Sequence, residues 1–275
     1  MELLIPTNKV PFTLLVDAKT RSPEILKIIA KDSRKPQTYY YNRIIKVNGE
    51  RTINLKMPQS PPILDLKIFN VASPDLVSQV DPSLSFSDIK AVPLKENPIW
   101  LSKQDREFIE FAQWFSENAS ILTSGKNMPH IYRSTNGNFE IDYFDVIKDR
   151  KSKIPVKTPA RIGHISGTIE ISKKHFLHYS IPMRMIILLH EYSHKFKNPK
   201  QGFDITNEYA SDVNALRMFL SLGYSEVEGI YAFHKTFKIS DSKVNKIRMM
   251  IIKDFVRKFN RGEFSNITTD YVRIN

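Results

Sequence analysis

The chain has 275 residues, 41% of them hydrophobic, a formal net charge of +12 and no cysteine. This content supports a real core and excludes a disordered chain, a disulfide framework and any thiolate metal site, so a metal here must rest on histidine and carboxylate. The charge fits a polyanionic partner such as nucleic acid or an acidic protein, but no nucleic-acid motif accompanies it and a lysine-rich surface explains it more simply.

The start, Met1 to Lys9, lacks the basic segment and apolar core of a secretory leader, and no apolar run approaches the length of a membrane span. The expectation is a cytoplasmic protein with no membrane span, with a virion location also open. Eleven of the 16 prolines fall in residues 1 to 98 among short alternating apolar stretches, which suits strands with prolines at edges and turns.

Val10 to Val16 reads as a strand. Ile25, Ile28 and Ile29 share a helical face and predict a short helix over Pro23 to Lys31. Tyr39 to Met57 carries two alternating runs across Asn48-Gly49 and predicts a β-hairpin. Tyr39, Tyr40 and Tyr41 in it are expected to pack rather than to form a binding face. Ile63 to Val71 is a further strand, and the connector over residues 76 to 100 adds one around Ser87 to Val92. The chain thus divides into a β-rich module with its connector, residues 1 to 100, and a second domain, residues 101 to 275. The module is a candidate docking surface for a partner.

Ser102 is placed to cap a helix with Asp105 at its third position, and Phe108, Phe111, Ala112, Phe115, Ala119 and Leu122 form its apolar stripe as far as Gly125. Asn136-Gly137 predicts a second hairpin, and Lys148 to Lys157 a charged loop. Arg161 to Ser172 alternates as one strand with Ile165, Gly167, Ile169 and Ile171 on a face; Gly163 and Gly167 allow close backbone approach or mark a bulge.

The chemistry concentrates in Pro182 to Phe196. Pro182 suits a first helical turn, and Met183 to Leu189 is apolar nearly all round, so this helix is expected to be buried. His190 and His194, four apart, lie about one turn apart on one side of it with Glu191 adjacent. That spacing holds a metal ion and places a carboxylate to work on its water. A second helical stretch begins at Asn207, and its Glu208 and Asp212 share a face.

His190, Glu191 and His194 with Asn207, Glu208, Ser211 and Asp212 resemble the two motifs of the gluzincin metallopeptidases, of the thermolysin-like kind. The run Asp212 to Tyr224 is also similar to the catalytic core of HtpX and CAAX-type proteases. The resemblance covers about residues 160 to 240. It implies a zincin-like domain with a small sheet and a helical carboxy-terminal part, and hence an α+β fold overall. It implies a zinc metallopeptidase acting on a protein or peptide, with zinc held by His190, His194 and Glu208, Asp212 orienting His190, and Glu191 as general base. Only 13 residues separate His194 from Glu208, and a reading with Asp212 as the ligand stays open. Tyr231 and His234 on a helix over Glu226 to Phe237 are candidate transition-state stabilisers, as is His178.

Ser240 to Arg261 predicts an amphipathic helix with Val244, Ile247, Met250, Ile251, Phe255 and Phe259 inward and Lys243, Lys246, Arg248, Lys253, Arg257 and Lys258 on a solvated face. Two other functional classes remain: a zincin-fold structural or assembly component, for example of a virion, with little or no peptidase activity, and a basic nucleic-acid-associated protein.

Overall fold

In the computed structural model, residues 1–72, 83–95, 99–125, 130–135, 140–163, 166–195, 205–237 and 242–263 are described. The chain divides into two units, Met1–Glu96 with the turn Gly223–Ser225, and Asn97–Leu222 with Glu226–Asn275. The fold is α+β: strands dominate the first unit and all the helices belong to the second, among the described residues.

The first unit contains β1 (Glu2–Pro6), β2 (Phe12–Thr20), β3 (Glu24–Asp32), β4 (Lys35–Val47), β5 (Glu50–Met57), β6 (Ile63–Asn70) and β7 (Leu84–Pro93). They pair antiparallel in two sheets, β1-β6-β3-β4 and β5-β2-β7. Alternate residues of both sheets are buried, Leu26, Ile28, Leu64, Leu66 and Ile68 in one and Leu14, Val16, Ile53, Leu55 and Met57 in the other. This is the pattern of a two-sheet apolar core.

Two expectations fail here. Pro23 to Lys31 is strand, not helix: Leu26, Ile28 and Ala30 are buried while Ile25 is exposed, so the operative period is two. Its β-branched isoleucines favour that outcome. Tyr39 to Met57 does not form a paired hairpin either. Asn48-Gly49 makes the turn, with Gly49 at φ +71°, but β4 pairs with β3 and β5 with β2. The turn carries the chain from one sheet to the other because it is held to the end of β2: the Thr20 amide donates to the Gly49 carbonyl at 3.0 Å and the Gly49 amide to Thr20 Oγ1 at 3.1 Å. The true hairpin is β3–β4, whose turn is set by the Arg34 amide donating to Asp32 Oδ1 at 2.9 Å. A register shift opposite Ala30 and Lys31 lets both Tyr40 and Tyr41 bury, and the Tyr41 hydroxyl donates to the Lys56 carbonyl.

In the second unit, α1 (Lys103–Asn118) is capped by Ser102 as expected, and Asp105 returns the bond to complete a capping box. β8 (His130–Arg133) and β9 (Glu140–Phe144) form the expected second hairpin, its Asn136-Gly137 turn lying outside the described residues. Arg161 to Ser172 is two strands, not one: β10 (Ala160–Ile162) and β11 (Thr168–Ser172) pair antiparallel around a turn in which Gly167 has φ +73°. Ile165 lies outside the described residues. The glycines thus serve a reversal. β11 pairs parallel with β9, giving a mixed sheet β10-β11-β9-β8 with β10 at its edge.

After α2 (Lys173–Phe176) come α3 (Ile181–Lys195), α4 (Ile205–Ser221), α5 (Glu226–Phe237) and α6 (Lys243–Asn260). α3 is fully enclosed from Ile181 to Leu189, as its mostly apolar sequence requires, and the one charged residue there, Arg184, donates to the Ser116 and Leu177 carbonyls. α1 anchors it: Phe108 stacks on Tyr192 at 4.2 Å, and the Tyr192 hydroxyl donates to the buried Asp105 Oδ1 at 2.7 Å. The α6 stripe is rotated from expectation. Ile252, Phe255, Val256 and Phe259 are buried, whereas Ile247 and Met250 are exposed. Among the described residues no helix is long and apolar enough to cross a membrane.

Candidate metal centre

α3 and α4 pack against each other, and Ser193 on the first and Ser211 and Ala215 on the second are small and buried. This brings the i, i+4 pair of histidines on α3 against the i, i+4 pair of carboxylates on α4. His190 Nε2 and His194 Nε2 are 2.9 Å apart; Glu208 Oε2 is 3.6 Å from the first and Glu208 Oε1 is 3.4 Å from the second. Behind them, His190 Nδ1 faces Asp212 Oδ1 at 2.9 Å. A carboxylate there keeps the proton on Nδ1 and leaves the Nε2 lone pair directed at the cluster.

These distances suit a small tetrahedral ion. Donors about 2.0–2.1 Å from such an ion stand roughly 3.3 Å from one another; the 3.4 Å between His194 Nε2 and Glu208 Oε1 matches that value, and the two imidazole nitrogens, 2.9 Å apart, stand slightly closer. His190, His194 and Glu208 can together hold a metal ion. Two imidazoles and one carboxylate, with no thiolate, match the donor set of catalytic zinc and leave one position of a tetrahedron open.

Glu191 is turned the other way, toward the sheet edge. Its carboxyl is pushed up to about 7 by burial and by the charge of Glu208, against the pull of His190 and of a hydrogen bond from the Ile162 amide. That amide is on the side of β10 away from β11, since the neighbouring Gly163 amide donates to the Thr168 carbonyl. Burial also raises Asp212, but the hydrogen bonds from Arg248 and His190 outweigh it and hold the carboxyl below its ordinary range. His190 is raised in turn: burial disfavours its charge and Asp212 more than restores it.

The cluster opens on a pocket of about 270 Å³. Thr158, Pro159 and Ala160 at the edge strand form one side; Ile186 and Ile187 of α3 and Ala232 and Phe233 of α5 form an apolar wall. Asn245 and Arg248 of α6 also line it. Phe233 meets His190 edge-on at 6.5 Å.

His190, Glu191, His194, Glu208 and Asp212 are therefore brought together. Tyr231 and His234 are not: both sit on the exposed face of α5, and its Ala232, Phe233 and Thr236 line the pocket instead. His178 is exposed and does not line it. Arg248, read from sequence as part of a solvated face, turns inward. Its Nε and Nη2 donate to Asp212 Oδ2 and Oδ1 at 2.7 and 2.8 Å, and Nη2 is 3.0 Å from Glu208 Oε2. The signal was present: Arg248, Ile252, Phe255, Val256 and Phe259 lie on one helical stripe, and a cation on a buried stripe needs buried acids.

No family model, curated protein or solved structure matches the chain.

Proposed function

We propose that this protein is a zinc-dependent peptide hydrolase. The observation that carries the reading is the cluster of His190 Nε2, His194 Nε2 and Glu208 with the half-buried Glu191 beside it, opening on a pocket bounded by a sheet edge. Zinc held by the three donors would supply a Lewis acid for a carbonyl oxygen and a water acidic enough to be deprotonated near neutral pH.

This chain's own residues do the rest. Asp212 fixes the tautomer and ring orientation of His190. Glu191, next to the ligands in sequence but directed to the edge strand, takes a proton from the attacking water and returns it to the leaving amine. A carboxyl whose burial brings it near neutrality suits both halves of that exchange. The outward edge of β10, apart from the Ile162 amide that Glu191 takes, offers main-chain groups to an extended peptide, and the Ile186, Ile187 and Phe233 wall takes an apolar side chain.

Glu191→Gln tests this. The variant is expected to keep zinc and its melting temperature while losing at least about 100-fold of its hydrolysis of a mixed peptide library, the usual scale for a general base. Undiminished hydrolysis in that variant would remove Glu191 from the mechanism, and none in the zinc-loaded wild type would leave a metal-bearing assembly component as the better reading.

A further inference from the structure

We propose that Arg248 decides which of the two carboxylates on α4 holds the ion; this rests on the metal reading above. Glu208 and Asp212 are one turn apart on the same face, and both reach His190: Glu208 at Nε2, Asp212 at Nδ1. Spacing alone gives either the ligand's place. The guanidinium breaks the tie. Its fork engages both oxygens of Asp212, through Nε on Oδ2 and Nη2 on Oδ1, and so commits that carboxylate away from the cluster. Of Glu208 it meets only Oε2, which leaves Oε1, 3.4 Å from His194 Nε2, for the ion.

A planar fork can do this where a point charge cannot. Two donors in fixed geometry hold two carboxylate oxygens at once, whereas a lysine ammonium offers no such pairing. Arg248 is thus a positioning residue, contributed by a helix that supplies no ligand. The opposite expectation follows if it is only a nearby positive charge: removing it would then tighten binding of a dication by relieving repulsion.

The test measures zinc affinity by chelator competition, and the visible absorption of bound cobalt(II), on the full chain. Arg248→Met and Arg248→Lys are compared with wild type, each with and without Glu208→Ala. The account predicts that both Arg248 variants bind zinc roughly 10- to 100-fold more weakly, as loss of an orienting partner does. Their cobalt spectra change because the ligand set has changed. In wild type, Glu208→Ala costs more than about 100-fold, whereas with Arg248 replaced the freed Asp212 substitutes and the same change costs less than about 10-fold, a non-additivity that a general structural defect does not produce. Arg248→Lys keeps the buried positive charge and carries the comparison if Arg248→Met does not fold.

Equal costs of Glu208→Ala in every background with unaltered cobalt spectra, or zinc binding that tightens in Arg248→Met and is unchanged in Arg248→Lys, would overturn the assignment and leave the metal reading standing. A wild type that takes up neither zinc nor cobalt would remove both.

Discussion

At the residue scale, the site is a problem of buried charge with a local solution. Glu191, Glu208 and Asp212 bring three carboxylates close together, and Arg248 donates to Asp212 and meets Glu208. Leaving such groups unpaired in a low-dielectric interior costs several kcal/mol, so their presence on enclosed helices calls for compensation. His190, Glu191, His194, Glu208 and Asp212 were legible in sequence because the i, i+4 spacing alone sets a shared face. Arg248 was not, because Ile247 and Met250 are apolar yet exposed, and they misdirect the stripe by about a quarter of a turn. Tyr231 and His234 lie on the exposed face of α5, and sequence, which places them on a helix, does not say which side of it faces the pocket. A further residue-scale consequence concerns Tyr192, whose hydroxyl and the buried Asp105 join α3 to the cap of α1. Tyr192→Phe is expected to lower stability by about 1.5–3 kcal/mol, the range for a hydrogen bond to a charged group, without changing zinc content. Chemical denaturation and elemental analysis of the same preparation would check both halves.

At the element scale, turns decided what periodicity could not. Asn48-Gly49 marked a turn correctly, but whether the flanking strands pair with each other depends on what each meets beyond the turn. Here Thr20 holds the Gly49 backbone and β2 captures β5. Nothing lies within 4 Å of a Cβ placed at Gly49, so its requirement is the positive φ. Gly49→Val should destabilise by about 1–2 kcal/mol, the left-handed penalty, and Gly49→Asn by clearly less, as read from denaturation midpoints at constant m-value.

The β8 end of the mixed sheet is tied to α1 by Glu107, which accepts from the Tyr132 hydroxyl at 2.6 Å and from the Thr135 amide and hydroxyl at 2.7 and 2.6 Å. Burial pushes its carboxyl up, and these bonds together outweigh that and leave it below the ordinary range. A depressed folded-state value contributes stability that is complete above the ordinary carboxylate range and lost as pH falls through the folded value. Wild type is therefore expected to melt above Glu107→Gln at pH 7, with the gap closing as pH falls below about 4. A gap that stays constant with pH would count against the ionised clamp.

At the scale of the whole molecule, the broad division into β-rich and helix-rich material could be read from proline placement and apolar period, whereas sheet order could not. Strand partners are set by long-range packing, and β9 and β11 run parallel across a connection that carries β10. All the site residues belong to the second unit. Zinc binding should therefore raise amide hydrogen-exchange protection in α3 and α4 and leave β2 to β6 unchanged. A saturating ion at 100 times its Kd adds about 2.7 kcal/mol to the state that binds it. Protection spread evenly over both units would contradict a site confined to one.

The central claim is that His190, His194 and Glu208 hold one zinc ion. The most direct test is elemental analysis of the purified chain beside His190→Ala and Glu208→Ala prepared identically. The account predicts about one zinc per chain in wild type, with three protein donors completing the site, and loss or sharp weakening in both variants. A wild type that retains no zinc after loading and removal of excess, or variants that retain it fully, would contradict the account.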